Sequence, residues 1–229
     1  SKSLFSADAF GSFGASYMPL SYNIGESARY YFNICGKFGP QVQALLKKAS
    51  TLDIQTVYPL HGPILKGDEL AKVLEIYGKW SLYEPDIDGV FIPYASIYGH
   101  TAEAARLLAG MLRQKGVHAV TLDLARCDKS LAVAMAFRFS KMVLAAATYD
   151  ASIFPPMADF LHRLQVKTYR NRRVGLIQNG SWAPTAAITM KKILETMKGI
   201  EIVEPVVTVT TRLNAASTEA LSQLADALH

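Results

Sequence analysis

The residues best suited to bind a ligand lie in a short polar loop between an apolar run and an amphipathic helix. The apolar run GVFIPY spans 89–94, and the candidate residues that follow it are Ser96, Ile97, Tyr98, Gly99, His100 and Thr101. Hydroxyl groups, a glycine and the free N–H groups of a helix N-terminus are together suited to holding a phosphate. The loop has neither the lysine of a nucleotide P-loop nor the three glycines of a dinucleotide fingerprint. A single terminal phosphate, as in FMN, fits these features, and the alternative is an ordinary turn with Thr101 as helix N-cap.

Two further loops could enclose a planar ring. The segment ATYDASIFPP at 147–156 is long for a strand-to-helix connection and offers Thr148, Tyr149, Asp150 and Ala151. The segment QNGSWAPTA at 178–186 offers the turn-forming pair Asn179 and Gly180, followed by Ser181 and Trp182. A large apolar ring at a loop tip is costly, so Trp182 either covers a ligand or packs on a neighbouring helix. A planar aromatic ligand with a phosphate tail would use all three loops.

From Gly89 onward, apolar runs of strand length alternate with segments of helical periodicity. The predicted strands are 89–94, 117–124, 141–148, 172–178 and 200–210, and the predicted helices are 101–115, 129–139, 155–164, 185–198 and 217–228, the last with Ser217 as N-cap. This alternation predicts a parallel sheet with helices on both faces. Ligands of such sheets bind beyond the carboxyl ends of the strands. The three loops follow the first, third and fourth predicted strands, so we expect them at one edge.

Residues 1–82 have a different character, with few predicted strands and little core. The segment 44–65 reads as a helix, a strand and a sharp turn at His61-Gly62-Pro63, and 68–80 reads as a helix. The segment SLYEPDID at 81–88 contains a proline and alternating charge, and it is the predicted linker. We therefore expect two domains, 1–82 and 89–229, of which the first looks like the end of a domain.

The composition restricts the class of protein. The chain has 229 residues, is 50% hydrophobic and has a mean hydropathy of +0.14, which is typical of a globular protein. It contains neither a run of about 18 apolar residues nor a recognisable signal peptide, so no membrane segment is expected. Cys35 and Cys127 form no CxxC pair, which favours a reducing, cytoplasmic location. The net charge of +5 is mild, and the basic run YRNRR at 169–173 is interpreted as a solvated turn, not as a nucleic-acid site.

The three loops resemble the FMN-binding loops of the flavodiiron proteins (A-type flavoproteins). The segments that carry the resemblance are YASIYGHTAEAA, ATYDASIFPPM and QNGSWAPTA. Upstream, LFSADAFGSFGA, YYFNICGKFGPQVQALLKK, LDIQTVYPLHGPIL and YGKW resemble the C-terminal half of the metallo-β-lactamase-like domain of that family. The order of the segments makes the resemblance specific, and it covers nearly the whole chain. It implies an α/β fold: a flavodoxin-like doubly wound five-stranded parallel sheet, preceded by a partial metallo-β-lactamase-like α/β region.

The resemblance also implies cofactors and the residues that hold them. Asp8, in SADAFG, corresponds to the carboxylate that bridges two irons, and His61, in PLHGPI, corresponds to a terminal imidazole ligand. Residues 96–101 correspond to the FMN phosphate loop, and 148–151 and 179–182 correspond to the loops around the isoalloxazine ring. By residue type alone, Asp8 would be a cap or turn residue and His61 a loop histidine. The other iron ligands of the family come from an HxExDH motif and a further histidine, and the 229 residues do not contain this motif.

The implied function is reduction of O2 to water, of NO to N2O, or both, with electrons passing through FMN to two irons. No rubredoxin-like CxxC pair follows the flavodoxin-like part, so we expect an external electron donor, such as rubredoxin or a reductase. A head-to-tail homodimer is expected as well. Two alternatives stay open: an FMN electron-carrier module without its own metal chemistry, and an FMN-dependent quinone reductase. The segments around Asp8 and His61 favour the flavodiiron enzyme, because a free carrier needs neither, and no motif for an NAD(P)H site is apparent.

Overall fold

The chain divides into two compact units, Ser1–Asp86 and Ile87–His229. The computed structural model describes residues 2–15 and 20–229. The division between the units falls inside the segment 81–88 that the sequence suggests as a linker. Among the described residues, no helix is both long enough and apolar enough to cross a bilayer.

The described residues of the first unit form three short strands and three α-helices. In chain order, its elements are β1 (Ser3–Ala7), α1 (Leu20–Ile34), a single 3-10 turn (Gly36–Phe38), α2 (Gly39–Ala49), β2 (Thr56–Pro59), β3 (Leu65–Lys66) and α3 (Gly67–Ser81). Strand β2 is central in the sheet, because it pairs in parallel with β1 and antiparallel with β3. The predicted helix 68–80 corresponds to α3, and the predicted strand before His61 corresponds to β2.

An aromatic cluster fills the first unit, so the expectation of little core was wrong. Tyr30, Tyr31 and Phe32 of α1 and Tyr77 and Trp80 of α3 are each at most 2% exposed. The ring centroids of Tyr31 lie 4.9 Å from those of Tyr77 and 5.5 Å from those of Trp80. Each large aromatic side chain buries roughly 150–250 Å², so a few of them can form a core without the runs of aliphatic residues from which a core is usually predicted. Burial also raises the pKa of the Tyr31 and Tyr77 hydroxyls above the ordinary value.

The second unit alternates strands and helices along its whole length. Its elements are β4 (Ile87–Ala95), α4 (His100–Gln114), β5 (Ala119–Asp123), α5 (Lys129–Arg138), β6 (Phe139–Tyr149), β7 (Ser152–Ile153), α6 (Pro155–Val166), β8 (Arg172–Asn179), α7 (Ala186–Leu194), β9 (Ile200–Val209) and α8 (Ala215–Leu228). Five strands form a parallel sheet in the order β5-β4-β6-β8-β9, and β7 pairs with the end of β6. This is the flavodoxin-like strand order that the family resemblance implies, with its switch point between β4 and β6.

The centre of the sheet is buried on both faces. Residues 142–147 of β6 are each at most 9% exposed, which explains why this strand reads as a continuous run of small and aliphatic residues. Helices α4 and α8 contribute to one core cluster against the sheet. Gly175 of β8 permits the close approach of α8, because a Cβ there would lie 3.1 Å from the Leu224 side chain. This packing fixes the strand ends, and hence the loops that follow them.

Both predicted N-caps differ from the structure. Helix α8 begins at Ala215, and its N-cap is Asn214, not Ser217. The Asn214 side chain accepts a hydrogen bond from the Ser217 N–H group, and the Ser217 hydroxyl accepts one from the Asn214 N–H group, both at 2.9 Å. This reciprocal capping box has serine in place of the usual glutamate or glutamine, so its sequence signature was not apparent. Helix α4 begins at His100 with Gly99 as N-cap, so Thr101 lies inside the helix.

The basic run 169–173 is not the solvated turn that the sequence predicts. Arg172 is 4% exposed and Tyr169 is 1% exposed. The Arg172 guanidinium donates hydrogen bonds to the carbonyls of Phe139, at 3.0 Å, and Phe137, at 2.7 Å, and to the two carbonyls that precede it in the chain. A buried guanidinium is stable here because carbonyl oxygens surround it. The Arg172 side chain thus connects the start of β8 to the junction of α5 and β6 by hydrogen bonds. The sequence pattern of a basic run does not indicate this structural role.

Candidate functional site

The three predicted loops meet at the carboxyl edge of the sheet in the second unit. Strands β4, β6 and β8 are adjacent and parallel, so the loops that follow them emerge side by side. The loops surround an open groove with a cavity volume of about 130 Å³. The groove is lined by Ser96, Ile97, Tyr98, His100, Thr101, Ala147, Thr148, Asn179, Gly180, Ser181 and Thr211.

Nine of the fourteen predicted cofactor-binding residues line this groove. The other five belong to the same loops without lining it: Gly99, Tyr149, Asp150, Ala151 and Trp182. The sequence analysis includes Ala147, near the end of β6, in the second loop without naming it as a binding residue, and it missed Thr211, in the loop after β9. The topology alone could have suggested Thr211, because β9 neighbours β8 and ends at the same edge.

The first loop leaves the N-terminus of helix α4 without a hydrogen bond from a capping side chain. Gly99 has φ of 95°, a conformation that favours glycine, and its N–H group donates to the Ser96 hydroxyl at 3.1 Å. The Glu103 N–H group donates to the Gly99 carbonyl at 2.9 Å, and no side chain caps the helix. The N–H groups of the first turn, together with the positive end of a 15-residue helix, are therefore available to an anion.

The hydroxyl of Thr101 is a second potential donor to an anion in the groove. Thr101 is 2% exposed and lines the groove, and among the described residues none is hydrogen-bonded to its hydroxyl. In the part of the chain that the structure describes, no lysine or arginine lines the groove. Backbone N–H groups and the Thr101 hydroxyl at the start of α4, without a lysine or arginine beside them, suit one phosphate monoester better than a polyphosphate.

The second loop contains a tight hairpin that the sequence did not suggest. Strand β7 pairs antiparallel with the end of β6, and Asp150 and Ala151 at the turn have φ of 47° and 52°. Two consecutive residues with positive φ are typical of hairpin turns. Tyr149 is partly exposed at the hairpin, and its ring centroid lies 5.8 Å from that of Phe154. The hairpin accounts for the unusual length of this connection.

The third loop is held tightly at its base and carries an exposed ring. The Gly180 N–H group donates to the Val209 carbonyl at 3.2 Å. A Cβ at Gly180 would lie 2.9 Å from Cα of Pro184, so only glycine fits without movement. Trp182 is 92% exposed, which excludes the alternative that it packs on a neighbouring helix. A fully exposed indole beside a groove is an apolar surface available to a ligand or a partner.

The two predicted metal ligands lie together in the first unit. His61 Nε2 is 3.5 Å from an Asp8 carboxylate oxygen. Their loops are joined by backbone hydrogen bonds, from the Leu60 N–H group to the Ala7 carbonyl at 2.9 Å and from the Ser12 N–H group to the His61 carbonyl at 3.1 Å. The two side chains that the resemblance implies as iron ligands are far apart in the chain and lie next to each other in the fold.

An aromatic ring and a buried hydroxyl border this carboxylate–imidazole pair. The Tyr30 ring centroid lies 5.7 Å from that of His61. Burial, together with the nearby Asp8 charge, raises the pKa of Tyr30 to about 12. The Tyr30 hydroxyl is therefore a neutral group at physiological pH. Tyr30 also occupies the space beside Gly11, where a Cβ would lie 2.7 Å from the tyrosine ring.

The described residues alone do not form a metal site. Over 2–15 and 20–229, no group of three or more histidine, cysteine, aspartate or glutamate side chains could hold a metal ion. A carboxylate and an imidazole are ligands that non-haem iron accepts, but an iron pair needs more of them. Asp8 and His61 therefore fit only as part of a larger ligand set.

The fold and the groove together define an α/β protein with a flavodoxin-like unit, whose groove includes an open helix N-terminus suited to one phosphate. No family model matches the chain. The chain is 27% identical over 210 residues to an uncharacterised protein of Methanocaldococcus jannaschii, covering 89% of this chain and 52% of that protein. It is 25% identical over 189 residues to the anaerobic nitric oxide reductase flavorubredoxin of Aeromonas salmonicida, covering 78% of this chain and 36% of the flavorubredoxin.

Solved structures support the same relationship at the level of the fold. The rubredoxin oxygen:oxidoreductase of Desulfovibrio gigas matches 99% of this chain with a TM-score of 0.90 and 22% identity, over 58% of its own length. The resemblance to the flavodiiron proteins that the loops suggest is thus confirmed, as is the α/β fold that it implies. The chain spans about half the length, or less, of the curated relatives described above.

Proposed function

We propose that this chain is the flavin-binding part of an FMN-dependent flavodiiron oxidoreductase, which in its complete form reduces O2 to water, NO to N2O, or both. The observation that carries the proposal is the groove at the carboxyl edge of the sheet, where three loops similar to FMN-binding loops converge. The reaction class is supported by the relatives named as a nitric oxide reductase flavorubredoxin and a rubredoxin oxygen:oxidoreductase.

Within the groove, each loop has a distinct proposed role. The open N-terminus of α4 and the Thr101 hydroxyl bind the FMN phosphate, and the turn closed by Ser96 and Gly99 holds that helix end in place. The loops 148–151 and 179–182 flank the isoalloxazine ring, where Tyr149 and Trp182 shield it from water. FMN, when bound, supplies one- and two-electron transfer.

Asp8 and His61 are proposed as two ligands of a non-haem iron pair in the complete protein. Their separation of 3.5 Å and their exposure to solvent support this role. The remaining ligands would have to come from outside these 229 residues, since the described residues hold no complete metal cluster. We therefore expect the chain, purified alone, to contain well under two irons by elemental analysis. Two tightly held irons per chain would contradict this assignment of ligands.

The proposed partners are an external electron donor, such as rubredoxin or a reductase, and a second copy of the protein. Electrons must pass between flavin and irons, so the two cofactors must lie close together. A head-to-tail homodimer meets this need by placing each flavin against the metal domain of the other subunit. The free thiols Cys35 and Cys127 fit a cytoplasmic location. Light scattering on the full-length protein tests the dimer, and a strictly monomeric, fully active reductase would contradict it.

Identification of the natural chromophore tests the proposal as a whole. Denaturing the purified chain should release a yellow flavin whose mass corresponds to FMN, with one phosphate. FAD as the released flavin would contradict the single-phosphate groove, and a chain that retains no flavin after reconstitution would contradict the function. Iron analysis of the full-length protein distinguishes the flavodiiron enzyme from an electron carrier, because a carrier would contain flavin without iron.

A further inference from the structure

Among the described residues that line the groove, only His100 has a side chain that can carry a positive charge. The other lining side chains are hydroxyl, amide or apolar groups, and no carboxylate, lysine or arginine is among them. Histidine is the side chain whose ordinary pKa, about 6.5, lies close to physiological pH. The charge of the groove can therefore change with pH at this residue.

His100 lies at the proposed phosphate site. It is the first residue of α4, between the N-cap Gly99 and Thr101. Its side chain is 31% exposed, so it is partly covered by the protein and still open to solvent. Since His100 lines the same groove as Thr101, an anion held at the start of α4 would lie beside the imidazole.

Two features of α4 act on a charge at the imidazole. The Glu103 carboxylate, 3.7 Å from His100 Nδ1, attracts an imidazolium, whereas the positive end of the helix repels one. The loops after β6, β8 and β9, which line the rest of the groove, contribute no charged side chain to the lining. No described residue forms a hydrogen bond with His100 Nε2, so this nitrogen is available to a ligand.

We propose that protonated His100 binds the phosphate of FMN, so that FMN binding and protonation of His100 favour each other. This inference rests on the proposed function, because it needs FMN in the groove. A phosphate monoester is mainly a dianion above a pH of roughly 6, and a dianion at the helix end attracts the imidazolium that the empty helix end repels. FMN binding should therefore take up a proton near neutral pH, and the affinity for FMN should fall as the imidazole loses its proton between about pH 6 and 8.

The ratio of the riboflavin Kd to the FMN Kd isolates the contribution of the phosphate. In the wild-type chain, at constant ionic strength, this ratio should fall about tenfold between about pH 6 and 8, in line with one charge-assisted hydrogen bond at a partly exposed site. The riboflavin Kd itself should stay constant, because riboflavin has no phosphate. Calorimetric titrations in two buffers of different ionisation enthalpy should show proton uptake with FMN and none with riboflavin.

Three substitutions separate the charge of His100 from its shape. His100→Asn removes the charge, and its ratio should no longer fall with pH. His100→Lys stays charged over the whole pH range, so its ratio should remain as high as that of the wild-type chain at low pH. His162→Asn is the matched control, since His162 is an exposed histidine of α6 that does not line the groove, and its pH profile should match the wild type.

The outcomes distinguish this inference from the function on which it rests. A wild-type ratio that does not change with pH would overturn the inference, as would an equal fall in His100→Asn. If His100→Lys loses as much FMN affinity as His100→Asn does, the residue acts through the shape of the loop and the proposed ion pair is wrong. Failure of the wild-type chain to bind FMN at any of these pH values would instead contradict the proposed function.

Discussion

Removal of the Thr101 hydroxyl should weaken FMN binding without affecting riboflavin. Thr101 lies in the first turn of α4, is 2% exposed and lines the groove, so its hydroxyl is placed to meet a phosphate. A hydrogen bond to a charged group contributes about 1.5–3 kcal/mol. The open helix N-terminus keeps its own N–H donors in the variant, so we expect a smaller loss of about 1–2 kcal/mol, or roughly 5- to 30-fold in Kd. Riboflavin has no phosphate, and its affinity should stay nearly unchanged.

The assay is a titration of the flavin-free chain with FMN and, separately, with riboflavin, followed by flavin fluorescence. Thr101→Val is preferred because it conserves side-chain volume in a buried position, and Thr101→Ala provides a second removal of the hydroxyl. Thr101→Ser retains the donor and should bind FMN like the wild-type chain. Equal losses for FMN and riboflavin would refute the reasoning, because they would mean that Thr101 supports the loop and does not contact the phosphate.

The remaining predictions concern packing and pH. Gly180→Ala should weaken the binding of FMN and of riboflavin equally, by about 1–3 kcal/mol, because the new Cβ would lie 2.9 Å from a backbone carbon. Unchanged titrations with both flavins would disprove this. Arg172→Met should lower the free energy of unfolding by about 3 kcal/mol or more, because it leaves buried carbonyls without a donor. In the same denaturant titrations, the exposed control Arg163→Met should lower it by less than about 1 kcal/mol. Burial raises the pKa of Tyr31 and Tyr77 in the folded state, so on raising the pH these side chains deprotonate in the unfolded state first. The free energy of unfolding should therefore fall as the pH rises above about 10. An unfolding free energy that stays constant from about pH 8 to 11 would contradict this.

The architecture of the second unit follows from local patterns, and for that reason it is readable from the sequence. Continuous apolar runs such as 142–147 indicate strands covered on both faces, and the alternation with helices leaves few possible topologies. The position of the groove then follows from the rule that ligands bind at the carboxyl edge of such a sheet. Nine predicted residues line it for this reason.

Features that depend on contacts between distant segments were not predictable in the same way. The burial of Arg172 depends on carbonyls of Phe137 and Phe139, which its own sequence neighbourhood does not show. The hairpin at Asp150 and Ala151 depends on backbone conformations that residue types only weakly favour. The pairing of Asp8 with His61 was accessible only through the family resemblance, because neither residue type nor spacing indicates it.

An equilibrium titration of the flavin-free chain with FMN tests the central claim most directly. The groove predicts saturation at one FMN per chain, and the fluorescence of Tyr149 and Trp182, in the loops that surround it, should change as the ring binds. FMN should bind more tightly than riboflavin, because only FMN carries the phosphate that the open end of α4 and Thr101 are placed to hold. Tighter binding of FAD, or no saturable flavin binding by the folded chain, would contradict the account.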